Sequence, residues 1–261
     1  MVHSVQVLTQ RMLIAFFVAC FALLAGPLLT LASGHVPLRG DWRNATHRPV
    51  GLAPDPRLHS EAIVQVYASR TFGWRGAFAV HTWVAAKPAH AEQYTRYEVI
   101  GWRARFGGSP LSISDAVAPD AEWYGAAPYL VRDVRGAEAD AIVAKLDAVA
   151  KRYPYETYRA WPGPNSNTFV AWLGREIPQL EVALPATAIG KDYLGGSIVG
   201  RAPSGSGFEL SLAGLLGLSA SRIDGFEVNL LGLNFGLSGS GLKLPLIGRI
   251  GPARHAAAAA R

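Results

Sequence analysis

Three side chains in this sequence have the type and the placement to do chemistry together: His81, Glu98 and Ser166. His81 lies in Phe78-Ala79-Val80-His81-Thr82-Trp83-Val84, an apolar, β-branched run that reads as a strand. Glu98 lies in the following run, Tyr94 to Arg103, which reads as the next strand. Ser166 sits in Asn165-Ser166-Asn167-Thr168, directly ahead of apolar residues spaced for a helix. A hydroxyl at a helix start gains from the helix dipole and from free backbone N–H groups that stabilise an oxyanion. A histidine on a neighbouring strand would act as its general base, and a carboxylate one strand further on would orient the imidazole and stabilise its charged form. The chemistry would be that of a hydrolase or an acyl/peptidyl transferase. Asn165, Asn167 and Trp83 flank these positions and are expected to contact a substrate.

Each residue also has a plain structural reading. Serine and asparagine are preferred N-caps, so Asn165-Ser166-Asn167 would start a helix without any chemistry. A strand histidine is often a satisfied, half-buried residue, and Glu98 could simply face Arg96 or Arg103. The aromatics Trp74, Trp83, Trp102, Trp123 and Tyr124 are expected to be mostly core.

Other chemistries lack residues. The chain has seven histidines, of which only His81 falls inside an expected strand, and no two have metal-ligand spacing, so no metal is expected. There is no phosphate-cradling loop, no GxSxG elbow and no dinucleotide fingerprint, so no cofactor is expected. The single cysteine, Cys20, excludes an intrachain disulfide framework, a cysteine zinc ribbon and an iron–sulfur cluster. It lies in an apolar run, which takes thiol chemistry away from the rest of the chain.

That run is the first of the elements that would position the site. Met12 to Ala32 holds 21 residues without a charge; at about 1.5 Å each they reach about 30 Å, one bilayer core. An uncleaved membrane anchor over residues 1–33 is the first reading; Gly26 and Pro27 would also suit the end of a shorter, cleaved signal segment. Residues 34–60, rich in Pro, Gly and Arg, read as a linker. Residues 61–195 read as an α+β core. Its strands are Glu61–Ala68, Phe78–Val84, Tyr94–Arg103 and Tyr129–Val134, in an antiparallel arrangement, with Gly73-Trp74-Arg75-Gly76 as a turn. Its helices run over Gly136–Arg152, with an apolar stripe of Ile142, Leu146 and Val149, and from Asn165 towards Pro178.

Residues 196–250 change character. Gly207-Phe208-Glu209-Leu210-Ser211-Leu212 returns eighteen residues later as Gly225-Phe226-Glu227-Val228-Asn229-Leu230. This is a two-copy repeat of alternating strands with glycine bends, and its apolar, low-charge surface must cover the core, a partner or a bilayer. Residues 251–261 read as a frayed tail.

The formal charge of +6 is spread along the chain with no Lys/Arg cluster and no interleaved aromatics, so no nucleic-acid partner is expected. Membrane lipid, met through the N-terminal helix, is the expected partner, with an envelope peptide or lipid as ligand. Arg39, Arg43 and Arg48 follow the apolar run and only Arg11 precedes it. Counted literally, that would hold the large domain in the cytoplasm, but long domains translocate despite such charges, and a signal-anchor start exports the domain behind it. The expected placement is a single-pass inner-membrane protein with a periplasmic domain.

Two resemblances add to this reading. Val80-His81-Thr82-Trp83, Tyr97-Glu98-Val99-Ile100-Gly101-Trp102, Trp161-Pro162-Gly163-Pro164-Asn165-Ser166-Asn167-Thr168-Phe169 and Ile189-Gly190-Lys191-Asp192-Tyr193-Leu194 resemble the bacterial domain of unknown function 3750 family over about residues 64–194. That resemblance implies a bacterial, membrane-associated protein and supplies no activity. Asn165-Ser166-Asn167-Thr168-Phe169-Val170 also resembles the asparagine–cysteine helix start of circularly permuted papain-like proteins, the NlpC-type and lecithin:retinol acyltransferase-like groups. It implies a histidine strand first, a polar residue on the next strand and the nucleophile helix later, the order His81, Glu98, Ser166. The nucleophile position here holds serine, a far weaker acid than a thiol. Two functions therefore stand side by side: a membrane-anchored envelope protein that binds a ligand or partner in a variant papain-like cleft, and a serine-dependent hydrolase or acyl/peptidyl transferase acting on envelope peptide or lipid ester bonds.

Overall fold

The computed structural model describes residues 2–34, 36, 42–239, 241–245 and 248–250. The architecture is α+β, with two antiparallel sheets. Helix α1 spans Val2–Ala32 and exposes Phe17, Phe21 and Leu29. Among the described residues, which leave out several side chains in the middle of α1, no helix is long and apolar enough to cross a membrane. The frayed tail expected at 251–261 lies outside the described residues.

The first sheet contains β1 (Ile63–Arg70), β2 (Val80–Lys87), β3 (Thr95–Val99), β4 (Leu111–Ser114) and β5 (Tyr129–Arg135), in the order β4-β3-β2-β1-β5. The first four form a meander and β5 returns to the free side of β1. The Gly73-Trp74-Arg75-Gly76 segment is a 3-10 turn over Gly73–Ala77. The run expected to be one strand from Tyr94 to Arg103 ends at Val99, and Gly101–Arg105 forms the short helix α2. Glycine is required at 101, where a Cβ would stand 2.6 Å from the Tyr158 ring. The Leu111–Ser114 strand is not marked in the sequence, because Leu-Ser-Ile-Ser is short and half polar.

Helices α3 (Ala137–Lys151) and α4 (Ser166–Glu176) both cover one face of this sheet. Val66, Val84 and Val99 pack there with Ile142, Leu146, Phe169 and Leu173 in one buried cluster. The opposite face carries Tyr67, Trp83, Arg96 and Glu98, all buried. The later part of the segment read as a linker closes it: Ala53 packs on that face, and the Leu52 and Ala53 amides donate to Asp120 Oδ2 at 2.6 and 3.2 Å.

The second sheet is a meander in sequence order: β6 (Val199–Arg201), β7 (Gly207–Leu212), β8 (Leu216–Ser221), β9 (Gly225–Leu230), β10 (Leu233–Ser238), β11 (Gly241–Leu244) and β12 (Gly248–Ile250). Each copy of the sequence repeat is one hairpin, β7–β8 and β9–β10. Leu231 and Gly232, both at positive φ, make the two-residue turn of the second hairpin, the form that matches strand twist.

Its two faces reverse the usual arrangement, in which the apolar side of a half-covered sheet turns inward. Cross-strand register puts Glu209, Ser219, Glu227, Gly236 and Lys243 in one ladder and Ser211, Gly217, Asn229 and Asn234 in another, on the covered side. Phe208, Ala220, Phe226, Leu237 and Leu242 form a ladder on the other side, and Val199, Leu210, Leu218 and Val228 run beside it. Phe208, Phe226 and Leu237 are more than half exposed.

Candidate functional site

The site is built where the start of α4 meets β2. Asn165 caps the helix: its Oδ1 accepts from the Asn167 and Thr168 amides at 2.9 and 3.2 Å, and its own amide donates to Thr168 Oγ1 at 3.0 Å. Its Nδ2 donates to the Ala160 and Ile189 carbonyls. Gly190 lies against this side chain; a Cβ there would stand 2.5 Å from Asn165 Nδ2, and φ is +95°.

Asn167 ties the helix start to the strand. Its Nδ2 donates to the Val80 carbonyl at 3.0 Å and the Ile189 carbonyl at 2.8 Å, while its Oδ1 accepts from Thr82 Oγ1 at 2.9 Å. Thr82 Oγ1 also lies 3.4 Å from the Ser166 carbonyl. The residues on either side of His81 are thus bonded to the residue after Ser166.

His81 is almost fully buried. Its Nε2 lies 3.0 Å from Glu98 Oε2, and the same oxygen accepts from Arg96 Nη2 at 2.9 Å. The imidazole stacks on Trp123, with ring centroids 3.5 Å apart and planes within 7°. The Arg96 guanidinium sits 4.1 Å from the centre of the Trp83 ring, and Trp83 Nε1 donates to the Pro119 carbonyl at 2.7 Å.

Electrostatics follow from this packing. Burial, only partly offset by Glu98, pushes the His81 pKa below the usual histidine value. Burial alone would raise Glu98, but the His81 hydrogen bond and the Arg96 charge hold its carboxyl below the usual carboxylate range. The arrangement is a neutral imidazole donating from Nε2 to an ionised carboxylate, with Nδ1 left as an acceptor.

Of the expected site residues, the structure brings His81 and Glu98 into a direct hydrogen bond and seats Ser166 at the first position of α4, whose start is bonded to the same strand. It does not make the link between them: Ser166 Oγ forms no hydrogen bond to His81. The Asn167 and Thr168 amides, expected as oxyanion donors, are taken by Asn165 Oδ1. Trp83 is fully buried, and the Asn165 and Asn167 side chains bond to backbone carbonyls within the protein.

Arg96, expected only as a plain structural partner of Glu98, joins the site. The signal was its i,i+2 spacing to Glu98, which puts both side chains on one face of a strand. Its Nε and Nη1, and Gln65 Nε2 on the same sheet face, are buried donors without a protein acceptor among the described residues. Beside the loop carrying Trp123, a small cleft opens between Arg70, Thr71, Phe72 and Tyr124. Among the described residues, no group of three or more His, Cys, Asp or Glu is placed to hold a metal ion.

A histidine–carboxylate–arginine chain on adjacent strands, on the sheet face turned away from the capped start of α4, defines an α+β domain with a buried polar cluster on that face. Residues 61–193 match the family described as Protein of unknown function (DUF3750), and the chain belongs to that family. No curated protein and no solved structure matches it.

Proposed function

We propose that this chain is a membrane-anchored cell-envelope protein that binds a peptide or lipid ligand beside His81 without cleaving it. The single observation that carries this reading is the missing link: Glu98 orients His81 at 3.0 Å, yet Ser166 Oγ has no hydrogen bond to the imidazole. A serine hydroxyl has a high pKa and reacts only when a base takes its proton, so an unengaged hydroxyl is inert. Two features support binding. Trp123 roofs the imidazole, and the Arg96 and Gln65 donors suit a ligand rich in acceptor oxygens. Anchoring rests on the uncharged Met12–Ala32 run inside α1, and the periplasmic placement on the signal-anchor pattern.

One observation favours the second reading, a serine-dependent hydrolase or acyl/peptidyl transferase with a permuted papain-like order. The orienting half of a triad is built, and His81 Nδ1 is free to accept a proton. The experiment is to incubate the full chain with phosphatidylglycerol vesicles and with a mixture of cell-wall peptides, following tryptophan emission and products by mass spectrometry. A change in emission without product supports binding. Product formation that Ser166→Ala abolishes replaces it with the catalytic reading.

A further inference from the structure

We infer that the outward face of the second sheet is a lipid-contacting surface that lies in the headgroup–acyl boundary of the bilayer holding α1. This deepens the membrane-anchored reading and rests on it.

The covered side of the sheet is polar because it meets charges from the first domain. Lys191 Nζ lies 2.9 Å from Asp192 Oδ1 and 2.6 Å from Glu227 Oε2, and Arg175 Nη2 lies 2.9 Å from Glu209 Oε2. Lys243 pairs with the other oxygen of Glu227. The apolar side therefore turns out. Phe208, Leu210, Leu218, Phe226, Leu237 and Leu242 are all exposed there, and among the described residues β7 to β9 and β11 turn their leucines, phenylalanines and valines outward while Leu233 at the start of β10 is buried. Monomeric proteins rarely leave a contiguous apolar patch beyond a few hundred Å² unless something covers it. Apolar-out, polar-in alternation on antiparallel strands is the pattern of a lipid-facing sheet.

Strand length sets how such a sheet meets lipid. The longest strands here have 6 residues, whereas a bilayer crossing takes about 9–11 residues in a strand. An open sheet also has unpaired edges, which do not occur within hydrocarbon. The sheet therefore lies flat, its leucines and phenylalanines dipping in and its edges staying at the headgroups.

Continuity with α1 selects the bilayer as the occupant over a second copy of the chain. α1 packs on the Gly73–Ala77 turn. From that turn Trp74 meets Phe78 edge-on at 6.0 Å, and Phe78 belongs to one apolar cluster with Ile189 of the loop before the sheet and Leu230, Leu233 and Phe235 of the sheet. An apolar path thus runs from the helix to the sheet. Trp74 and Trp161, both about half exposed, lie along it, and Arg75 reaches over the Trp74 ring at 5.9 Å. Tryptophan and basic side chains hold this interfacial level. Two sheets packed face to face would bury the face but leave the apolar helix uncovered.

The test uses the full chain with Cys20→Ser and one introduced cysteine carrying an environment-sensitive fluorophore, in vesicles of phosphatidylethanolamine and phosphatidylglycerol. Leu218→Cys and, separately, Phe226→Cys report the face; Asp147→Cys on exposed α3 is the control. The expected result is a blue shift and loss of emission with spin-labelled lipid at both face positions, with iodide quenching only at Asp147→Cys. If the chain floats with vesicles and resists carbonate while iodide quenches all three labels alike, the anchor stands and the lipid-facing sheet is overturned. Face labels shielded from both quenchers, with two copies cross-linking through them, would also overturn it and make a second copy the occupant. A chain stripped by carbonate contradicts the anchor, and the sheet proposal falls with it.

Discussion

Thr82, the residue after His81, donates its hydroxyl to Asn167, the residue after Ser166, at 2.9 Å. That bond, buried between strand and helix, turns Thr82 towards α4 and so turns His81, the preceding residue, to the opposite face of the sheet with Glu98 and Trp123. Replacing Thr82 with Val keeps the shape and removes the donor, leaving Asn167 Oδ1 buried and unpaired. Urea unfolding should show a loss of roughly 1–3 kcal/mol. Asn167→Ala strips the donor from the Val80 and Ile189 carbonyls as well and should cost more. Ser166→Ala should cost less than Thr82→Val, because the hydroxyl has no hydrogen-bond partner to lose among the described residues.

Gly190→Ala tests the cap from its other side. The added methyl would meet the Asn165 amide at 2.5 Å, in a backbone conformation of φ +95° that favours glycine. The expected cost is about 1–3 kcal/mol for the backbone alone. Asn165→Ala removes the cap and should cost at least about 1 kcal/mol, with the lost bonds to the Ala160 and Ile189 carbonyls added. Circular-dichroism melts of both variants check this.

The pH dependence has a definite sign at His81. Its folded pKa lies below its ordinary value of 6.5 because it is buried. On acidification the unfolded chain takes up the proton first, so stability falls as pH drops below about 6.5. His81→Gln should flatten that part of the profile. Glu209 acts in the opposite direction: burial and the nearby Asp192 push its carboxyl up to about 7. Its contribution is full below its ordinary value of 4.5 and is lost as pH rises through about 7. Glu209→Gln should remove that loss. Stability profiles of the three proteins between pH 4 and 8 separate the two effects.

Much of the fold could be read from pattern. The strand runs, the helix at Gly136–Arg152 and the hairpin repeat follow from periodicity and turn residues, and the helix start follows from Asn165-Ser166-Asn167 ahead of an apolar face. The inverted second sheet could not be read so easily. Glu209, Ser211, Glu227 and Asn229 alternate with apolar residues as a solvent face would, and nothing local says that Lys191, Asp192 and Arg175 meet them across the domain. The Arg96 donors and the Trp123 roof likewise come from long-range packing.

The buried charge cluster gives a further prediction. Lys191 stays charged because Asp192 and Glu227 outweigh the cost of its burial. Lys191→Met leaves those carboxylates facing each other with one cation fewer, and the loss should be roughly 3–5 kcal/mol. The second sheet should loosen first, seen as faster amide exchange over β7 to β10 than over β1 to β3.

The central claim, that Ser166 is not an activated nucleophile, is tested most directly by treating the full chain with a fluorophosphonate probe and reading adducts by mass spectrometry. The account predicts no adduct at Ser166. An adduct at Ser166 that disappears in both Ser166→Ala and His81→Ala would contradict it.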